Sequence, residues 1–396
     1  MPPAERKTAK MTSPAFITEA CLWHKTMKIF IGFCKSQPVF VIAFLAAVAT
    51  MFAVPPDSGY ADYCNFSVLA ELFALMIAVA GLRSVGLFEK MTFILLKKAG
   101  NVRRLARFLI IVCFFSSMLI TNDVALITFV PLTILAFSGT DDERSRILTI
   151  VLETAAANLG SMMTPFGNPQ NLYLFDRYDM TAMEFITTML PVGAASLVCL
   201  MLLTLMIPKS DCGQKSEHHR EISHKRLIVY IVLFLVCIAA VLKFIPFWIC
   251  AVAAVIAALI FDRYLLLKAD YILLLTFVCF FVFVGNIARI DAVRDFLSGI
   301  LTGNEIIVSS LLSQGISNVP AAVMLSGFTE NGAALLAGVN IGGLGTPIAS
   351  MASLISLQLY KPTKNADSKR YLLWFSAINF GMLALLLAVF VPIMQR

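Results

Sequence analysis

The sequence predicts an all-α integral membrane protein with about nine transmembrane spans and two re-entrant hairpins, arranged as two inverted repeats with interrupted helices. Three observations predict it. Of the 396 residues, 59% are hydrophobic and only 14% charged, whereas an ordinary soluble domain carries about 25% charged residues. Apolar runs recur from residue 38 to residue 393 without a long polar stretch between them. Four of these runs are broken near their middles by Asn, Gly, Pro, Ser or Thr, and the breaks come in matched pairs.

Residues 1–37 are basic (Arg6, Lys7, Lys10, Lys25, Lys28, Lys35) and no small-residue cleavage site follows them, so they read as a cytoplasmic segment rather than a signal peptide. A span needs roughly 20 apolar residues. The runs 38–54, 64–82, 183–207, 227–243, 245–262, 269–288 and 371–393 qualify as simple spans. The broken runs are 105–137, 148–174, 305–328 and 332–359. Lys and Arg concentrate in the N-terminus and in 83–107, 209–226 and 361–370, while 55–63 has none. Every strongly basic stretch faces the cytoplasm if 105–137 dips in from that side, 305–328 dips in from outside, and the other two broken runs cross. Residues 38–207 are then a first transmembrane repeat, 208–226 a cytoplasmic linker, and 227–396 a second, inverted repeat in the plasma membrane.

A slide of 182 residues lays "ANLGSMMTPFGNPQN" (157–171) against "GVNIGGLGTPIASMAS" (338–353). Asn158 falls on Asn340, Gly160 on Gly342, Thr164 on Thr346 and Pro165 on Pro347. Upstream of each lies a hairpin with a polar tip, "ITNDV" at 120–124 and "GISNV" at 315–319. Inverted repeats with discontinuous helices mark secondary transporters, whose sites lie near the midplane where the breaks meet.

The residue types explain why a site would form there. Irregular backbone survives in a membrane only when buried in protein or lining a wet cavity. Proline lacks the amide donor and glycine permits open angles, so the helix must break between Asn158 and Pro169, with Pro165 expected near the first turn of the new helix. A helix N-terminus suits anion oxygens, and freed carbonyls with Asn or Thr oxygens suit a small cation. Candidate binding residues are Asn158, Gly160, Ser161, Thr164, Pro165, Gly167, Asn168 and Asn171 at the first break, and Asn340, Gly342, Thr346, Pro347 and Ser350 at the second. The tips add Thr121, Asn122 and Asp123, which start one hairpin arm, and Ser317 and Asn318, expected to cap another arm just before Pro320. Na+ would sit at Asn122, Asp123 and Asn158, and at Asn318 and Asn340.

An acidic residue within a span is functional by default. Asp123 reads as a cation ligand or proton acceptor, with an N-cap carboxylate as the alternative; Glu153 reads as a proton relay or an interhelical hydrogen-bond partner, and Glu71 as structural. Nine cysteines show no metal spacing and read as reduced, buried, small apolar side chains. His218, His219 and His224 belong to a hydrophilic loop. The net charge of +7 reads as topology signal, not a nucleic-acid surface. No Walker lysine motif and no Ser/His, Asp/Asp or HExxH arrangement occurs in the spans, so no enzyme activity and no cofactor are expected.

The stretches "LITNDVALITFVP" (119–131), "ANLGSMMTPFGNPQNLYLF" (157–175), "SNVP" (317–320) and "GVNIGGLGTPIASMASLI" (338–355) resemble the ion transporter superfamily. It contains arsenite-efflux permeases, citrate-type transporters and divalent anion to sodium symporters. The resemblance implies that Asn122, Asn318 and Ser317 take the roles of the Ser-Asn-Thr tip motifs that bind sodium and carboxylate. Thr121 replaces the first Ser, and Asp123 and Val319 stand where that motif has Thr; a Thr-Asn-Asp tip is closer to the arsenite-permease branch. The expected function is alternating-access transport of a small anion, a di- or tricarboxylate or an inorganic oxyanion, coupled to Na+ or H+. The alternatives are arsenite or antimonite efflux, with an ATPase partner in that case only, and an ion channel. Symporter relatives imply a homodimer in the lipid membrane.

Overall fold

A computed structural model describes residues 32, 34, 37–86, 100–137, 142–210, 223–363 and 366–394. The basic N-terminal residues, Lys90, Lys97, Lys98, Lys215, Arg220, Lys364, His218 and His219 lie outside the described residues. The described residues contain helices and no strand. The α-helices of eight residues or more are, in chain order, α1 (Pro38–Ala53), α2 (Phe66–Ser84), α3 (Val102–Ser117), α4 (Asn122–Ala136), α5 (Glu143–Ser161), α6 (Pro169–Arg177), α7 (Ala182–Leu203) and α8 (His224–Val241). They continue as α9 (Phe247–Phe261), α10 (Tyr271–Ala288), α11 (Asp291–Leu301), α12 (Glu305–Ile316), α13 (Asn318–Leu325), α14 (Gly332–Ile341), α15 (Met351–Tyr360) and α16 (Ser368–Met394).

Each simple span expected from the sequence is a helix. Among them α2, α8, α10, α16 and α7 with its continuation to Met206 are long and apolar enough to cross a membrane alone, while α1 and α9 are shorter apolar helices. Each broken run is two helices: α3 and α4, α5 and α6, α12 and α13, α14 and α15. Local chemistry sets the starts. Asn65, Asn101, Asp142, Asp270 and Asn331 each accept a first-turn backbone N–H, and α7 opens with a capping box of Thr181 and Glu184.

Two starts differ from expectation. After the first break the helix resumes at Pro169, not near Pro165, because a turn closed by Gly167 N–H to Thr164 O (3.3 Å) holds Pro165 in irregular backbone. Asn168 caps the new helix and Pro169 takes the first helical position, where proline's missing donor costs nothing. Likewise α13 begins at Asn318, so Pro320 is its third residue; Ser317 sits at the cap position with φ +77° and makes no side-chain capping bond. The sequence reading also missed α11. Its apolar Val293, Phe296, Leu297 and Ile300 recur at helical spacing, and it meets α12 at 110°.

Packing sorts the helices into two groups. In a scaffold group, α1 packs on α10, and α2 on α8 and α9. Ala43, Ala47 and Thr50 are the buried positions of α1, small residues that let α10 approach closely. The core group is centred on α5, buried throughout from Ser145 to Ser161. There α3 packs on α5 and α12 on α14, while the second hairpin arms reach across: α4 packs on α15 and α13 on α6. The groups meet mainly where α10 faces α13 and α2 faces α6.

Loops assigned to the same side meet. At one end Arg103 donates to Leu205 O and Ile207 O, Arg107 Nε to Thr204 Oγ1 at 2.8 Å, and Tyr360 to Glu143. At the other, Asn65 donates to Asp176 at 2.5 Å, Arg289 pairs with Asp57 at 2.8 Å, and Lys243 pairs with Asp179. These partners hold the Asp57 and Asp179 carboxyls below their ordinary values. Among the described residues the cysteines are free thiols; Cys113, Cys237 and Cys250 are buried and Cys199 and Cys279 half-buried.

Candidate functional site

The breaks are seated by close backbone approach. A methyl group on Gly160 would lie 2.1 Å from Phe114 O, and one on Gly342 2.7 Å from Ser310 Cα, so α5 and α14 touch their hairpin arms at these glycines. Threonine then ties each break to a tip: Thr164 Oγ1 donates to Met118 O at 2.5 Å, and Thr346 Oγ1 to Gln314 O at 2.8 Å. Met118 and Gln314 each stand four residues before a tip asparagine, Asn122 and Asn318. The two contacts correspond residue for residue.

The breaks also reach each other. Asn158 Oδ1 accepts from Asn122 Nδ2 at 3.0 Å and from Ser350 Oγ at 2.9 Å, while its Nδ2 faces Gly343 O at 3.4 Å. Asn340 Oδ1 accepts from Asn168 and Gln170, both at 3.4 Å, and its Nδ2 donates to Asn171 Oδ1 at 2.7 Å. Since Ser350 is the position that matches Asn168 under the 182-residue slide, the exchange is reciprocal. Asn158, Asn340, Asn168, Asn171 and Ser350 are each no more than 4% exposed. An apolar medium makes such groups costly unless bonded, and here amides, hydroxyls and unwound carbonyls converge.

Other expected residues serve the frame. Ser161 Oγ donates to Asn158 O and accepts from Asn168 at 3.0 Å each, and Asn171 Nδ2 donates to Ser161 O and Thr164 O. Gly167 packs against Ser161 O, and Pro165 and Pro347 lie in the turns rather than in helices. Thr121 stands at the α4 cap position without a side-chain cap bond. Ser317 Oγ (3.4 Å) and Asn318 N–H (2.9 Å) converge on Ala349 O. Asn318 shares no hydrogen bond with Asn340 among the described residues, unlike the bonded pair Asn122 and Asn158. The Asp123 carboxylate does not cap α4; its Oδ1 is buried without a hydrogen-bond partner, and Asn122 Oδ1 receives the Asp123 N–H instead.

Two residues were missed. Gln170 faces Asn340, and Gln314 serves the second break with both ends of its amide. A Gln four residues before a tip Asn, within an apolar arm, was the available signal for the second. Glu153 is fully buried and accepts from Thr133 of α4 at 2.6 Å, an interhelical bond, while its Oε2 has no partner. Glu71 is buried on α2. A cavity of about 630 Å³ opens at the seam between the groups, lined by Asn65 and Gly285 of the scaffold and by Tyr173, Arg177 and Ser326 of the core. Tyr173 OH lies 2.8 Å from Ser326 Oγ.

Residues 28–338 match the citrate transporter family, CitMHS. An uncharacterised transporter of Methanocaldococcus jannaschii is 36% identical over 74% of this chain and 81% of its own length. Inner membrane protein YbiR of Escherichia coli is 28% identical over 90% and 98%. A silicon efflux transporter of Oryza sativa subsp. japonica is 28% identical over 38% of this chain and 31% of its own. In fold, the chain is similar to the YdaH transporter of Alcanivorax borkumensis, with TM-score 0.52 and 15% identity over 83% of this chain and 86% of that one.

Proposed function

The chain belongs to the citrate transporter family, CitMHS, a family of membrane transporters, and we propose that it moves a small anion by cation-coupled alternating access. The observation that carries this reading is the reciprocal bonding of Asn158 with Ser350 and of Asn340 with Asn168, which makes one polar centre out of two helix breaks. In this reading the halves are inverted repeats with nine crossings and two re-entrant hairpins, and the N-terminus is cytoplasmic in the plasma membrane. The helix that starts at Pro169 offers amide N–H groups to an anion; a cation takes the oxygens of Asn122, Asp123 and Asn158. An inside-negative potential opposes anion uptake by roughly 2.3 kcal/mol per charge per 100 mV, and a co-transported Na+ or H+ offsets it. Movement of the core group against the scaffold would open the centre to the seam cavity. A homodimer is part of the same proposal.

The test is uptake into proteoliposomes under imposed Na+, H+ and voltage gradients, with dicarboxylates, citrate, sulfate, arsenite and silicic acid as candidates. We expect one anion to accumulate against its own gradient only while a cation gradient is present. Flux at channel rates that ignores every gradient would sink the reading. A second reading, export of a neutral hydroxide such as silicic or arsenous acid, is favoured by the efflux activity named for the rice relative. Only the arsenite version of it calls for an ATPase partner.

A further inference from the structure

The two breaks differ in what meets their freed carbonyls. At the second, the single Nε2 of Gln314 faces two carbonyls of the break, Gly342 O at 2.9 Å and Leu344 O at 3.0 Å, and one main-chain oxygen of its own helix, Ser310 O at 3.0 Å. An amide nitrogen has two hydrogens, so these oxygens outnumber what it can fully satisfy. They form a cage. The amide orientation is fixed by its other end, because Oε1 accepts the Thr346 N–H at 2.9 Å and could not be exchanged with a donor.

The backbone is shaped to admit this side chain. Gly345 lies at φ +101°, a conformation that favours glycine, and a methyl group there would stand 2.2 Å from Gln314 Oε1. The first tip carries Met118 at the matching place, marked by its Thr164 bond, and methionine has no such donor. The freed carbonyls Ser161 O and Thr164 O at that break are met from within the same segment by Asn171.

Unwound carbonyls at a helix break are what a small cation coordinates in a secondary transporter. We infer that the Gln314 amide is a built-in substitute for a cation at the second break, so that a coupling cation binds at the first break only. In this inference a tethered donor takes the part that a Na+ at Asn318 and Asn340 would otherwise play at the second break. The partial positive charge of the NH2 group stabilises the carbonyl cage permanently, and the second hairpin stays locked to its break without an ion. This inference rests on the cation-coupled reading above.

The test counts Na+ bound to the purified full-length protein with radiolabelled Na+, and follows thermal stability in NaCl against N-methylglucamine chloride. Gln314→Met gives the second tip the residue of the first and empties the cage; one additional Na+ per chain is expected, with at least a tenfold gain in the Na+ response of stability. Gln314→Glu keeps an acceptor for the Thr346 N–H but turns a carboxylate toward the carbonyls, and it should need Na+ to reach wild-type stability. Gln314→Lys places an ammonium nitrogen in the cage and should bind no additional Na+. If Gln314→Met and Gln314→Glu are both no more Na+-responsive than wild type, the substitute role is overturned, and so it is if wild type already fills two sites. If wild type binds no Na+ while Gln314→Met does, the cage assignment stands and it is the Na+ form of coupling that fails.

Discussion

The scaffold and the core are built from the same apolar vocabulary and spend their polar residues differently. In the scaffold, Thr50, Glu71, Thr276 and Asn286 are the buried polar side chains among the described residues, and its helices run unbroken. Most of the others lie in the core, gathered in its four broken runs. Asn286 shows the contrast best. It is as buried as Asn158, yet it donates to Thr50 Oγ1 at 3.1 Å and Tyr60 OH at 2.8 Å, fastening α10 to α1 at one end of the bundle. Asn158 instead joins a hairpin tip, through Asn122, to the second break, through Ser350. Equal burial therefore does not mean equal role: an amide that ties whole helices stabilises, whereas under the proposed function one that ties broken ends has bonds to exchange with a substrate.

The largest effect should come from that pair. Asn158→Ala is expected to lower transport at least about 100-fold, the scale of losing a preorganised polar contact, while Asn286→Ala lowers stability by about 1–3 kcal/mol and leaves transport by the folded protein within a few-fold. Equal loss of transport in both, measured at equal amounts of folded protein, would break the comparison. Glycines come next. Gly160→Ala drives a methyl toward a main-chain oxygen at 2.1 Å, whereas Gly81→Ala in the scaffold meets the Tyr230 ring at 2.2 Å, which can yield. Overpacking costs about 1–3 kcal/mol, and Gly160→Ala should fall at or beyond the upper end; thermal unfolding of both variants ranks them. A smaller change is expected from Tyr173→Phe, which deletes the bond to Ser326 beside the seam cavity. Its loss of about 1 kcal/mol should appear as a raised KM from one side of the membrane; unchanged KM from both sides would remove the seam from the transport path.

The smallest effect concerns the scaffold's exposed end. Arg289 holds the Asp57 carboxyl below its ordinary value of 3.8, first through their hydrogen bond. A depressed carboxylate contributes stability that is complete above the ordinary value and fades as the pH falls through the lowered one. Melting temperature should therefore be flat with respect to this pair from neutral pH down to about pH 5. Asp57→Asn should abolish any decline seen below that range. A decline near pH 6 that Asp57→Asn removes would contradict the assignment.

Much of this arrangement was legible in the sequence because the membrane imposes local rules. A span announces itself by length, and a break by Pro and Gly at positions such as Pro169 and Gly160. Partnership is another matter. The place of Gln314 four residues before a tip Asn singles the residue out, yet does not give its partners Gly342 O and Leu344 O, which lie about thirty residues on. The resumption of helix at Pro169 rather than Pro165 depended on the Thr164 turn and the Asn168 cap together, and proline alone could not choose between them. The division into scaffold and core was invisible for the same reason, since α1 and α2 pack with helices from the far half of the chain.

The helix that the span rule overlooked links those two groups. α10 belongs to the scaffold and α12 to the core, and α11 is the 11-residue rod between them. At 1.5 Å per residue it is about 16 Å long. Its exposed Phe296 and Ile300 suit the plane of the lipid headgroups, and Gly303 at φ +77° articulates its far end. A connecting rod of fixed length converts relative motion into an arc. Swung through about 30°, this one carries the start of α12 about 8 Å, the length multiplied by the angle. In the proposed mechanism the stroke of any rocking between scaffold and core is thus bounded by the eleven residues of this helix.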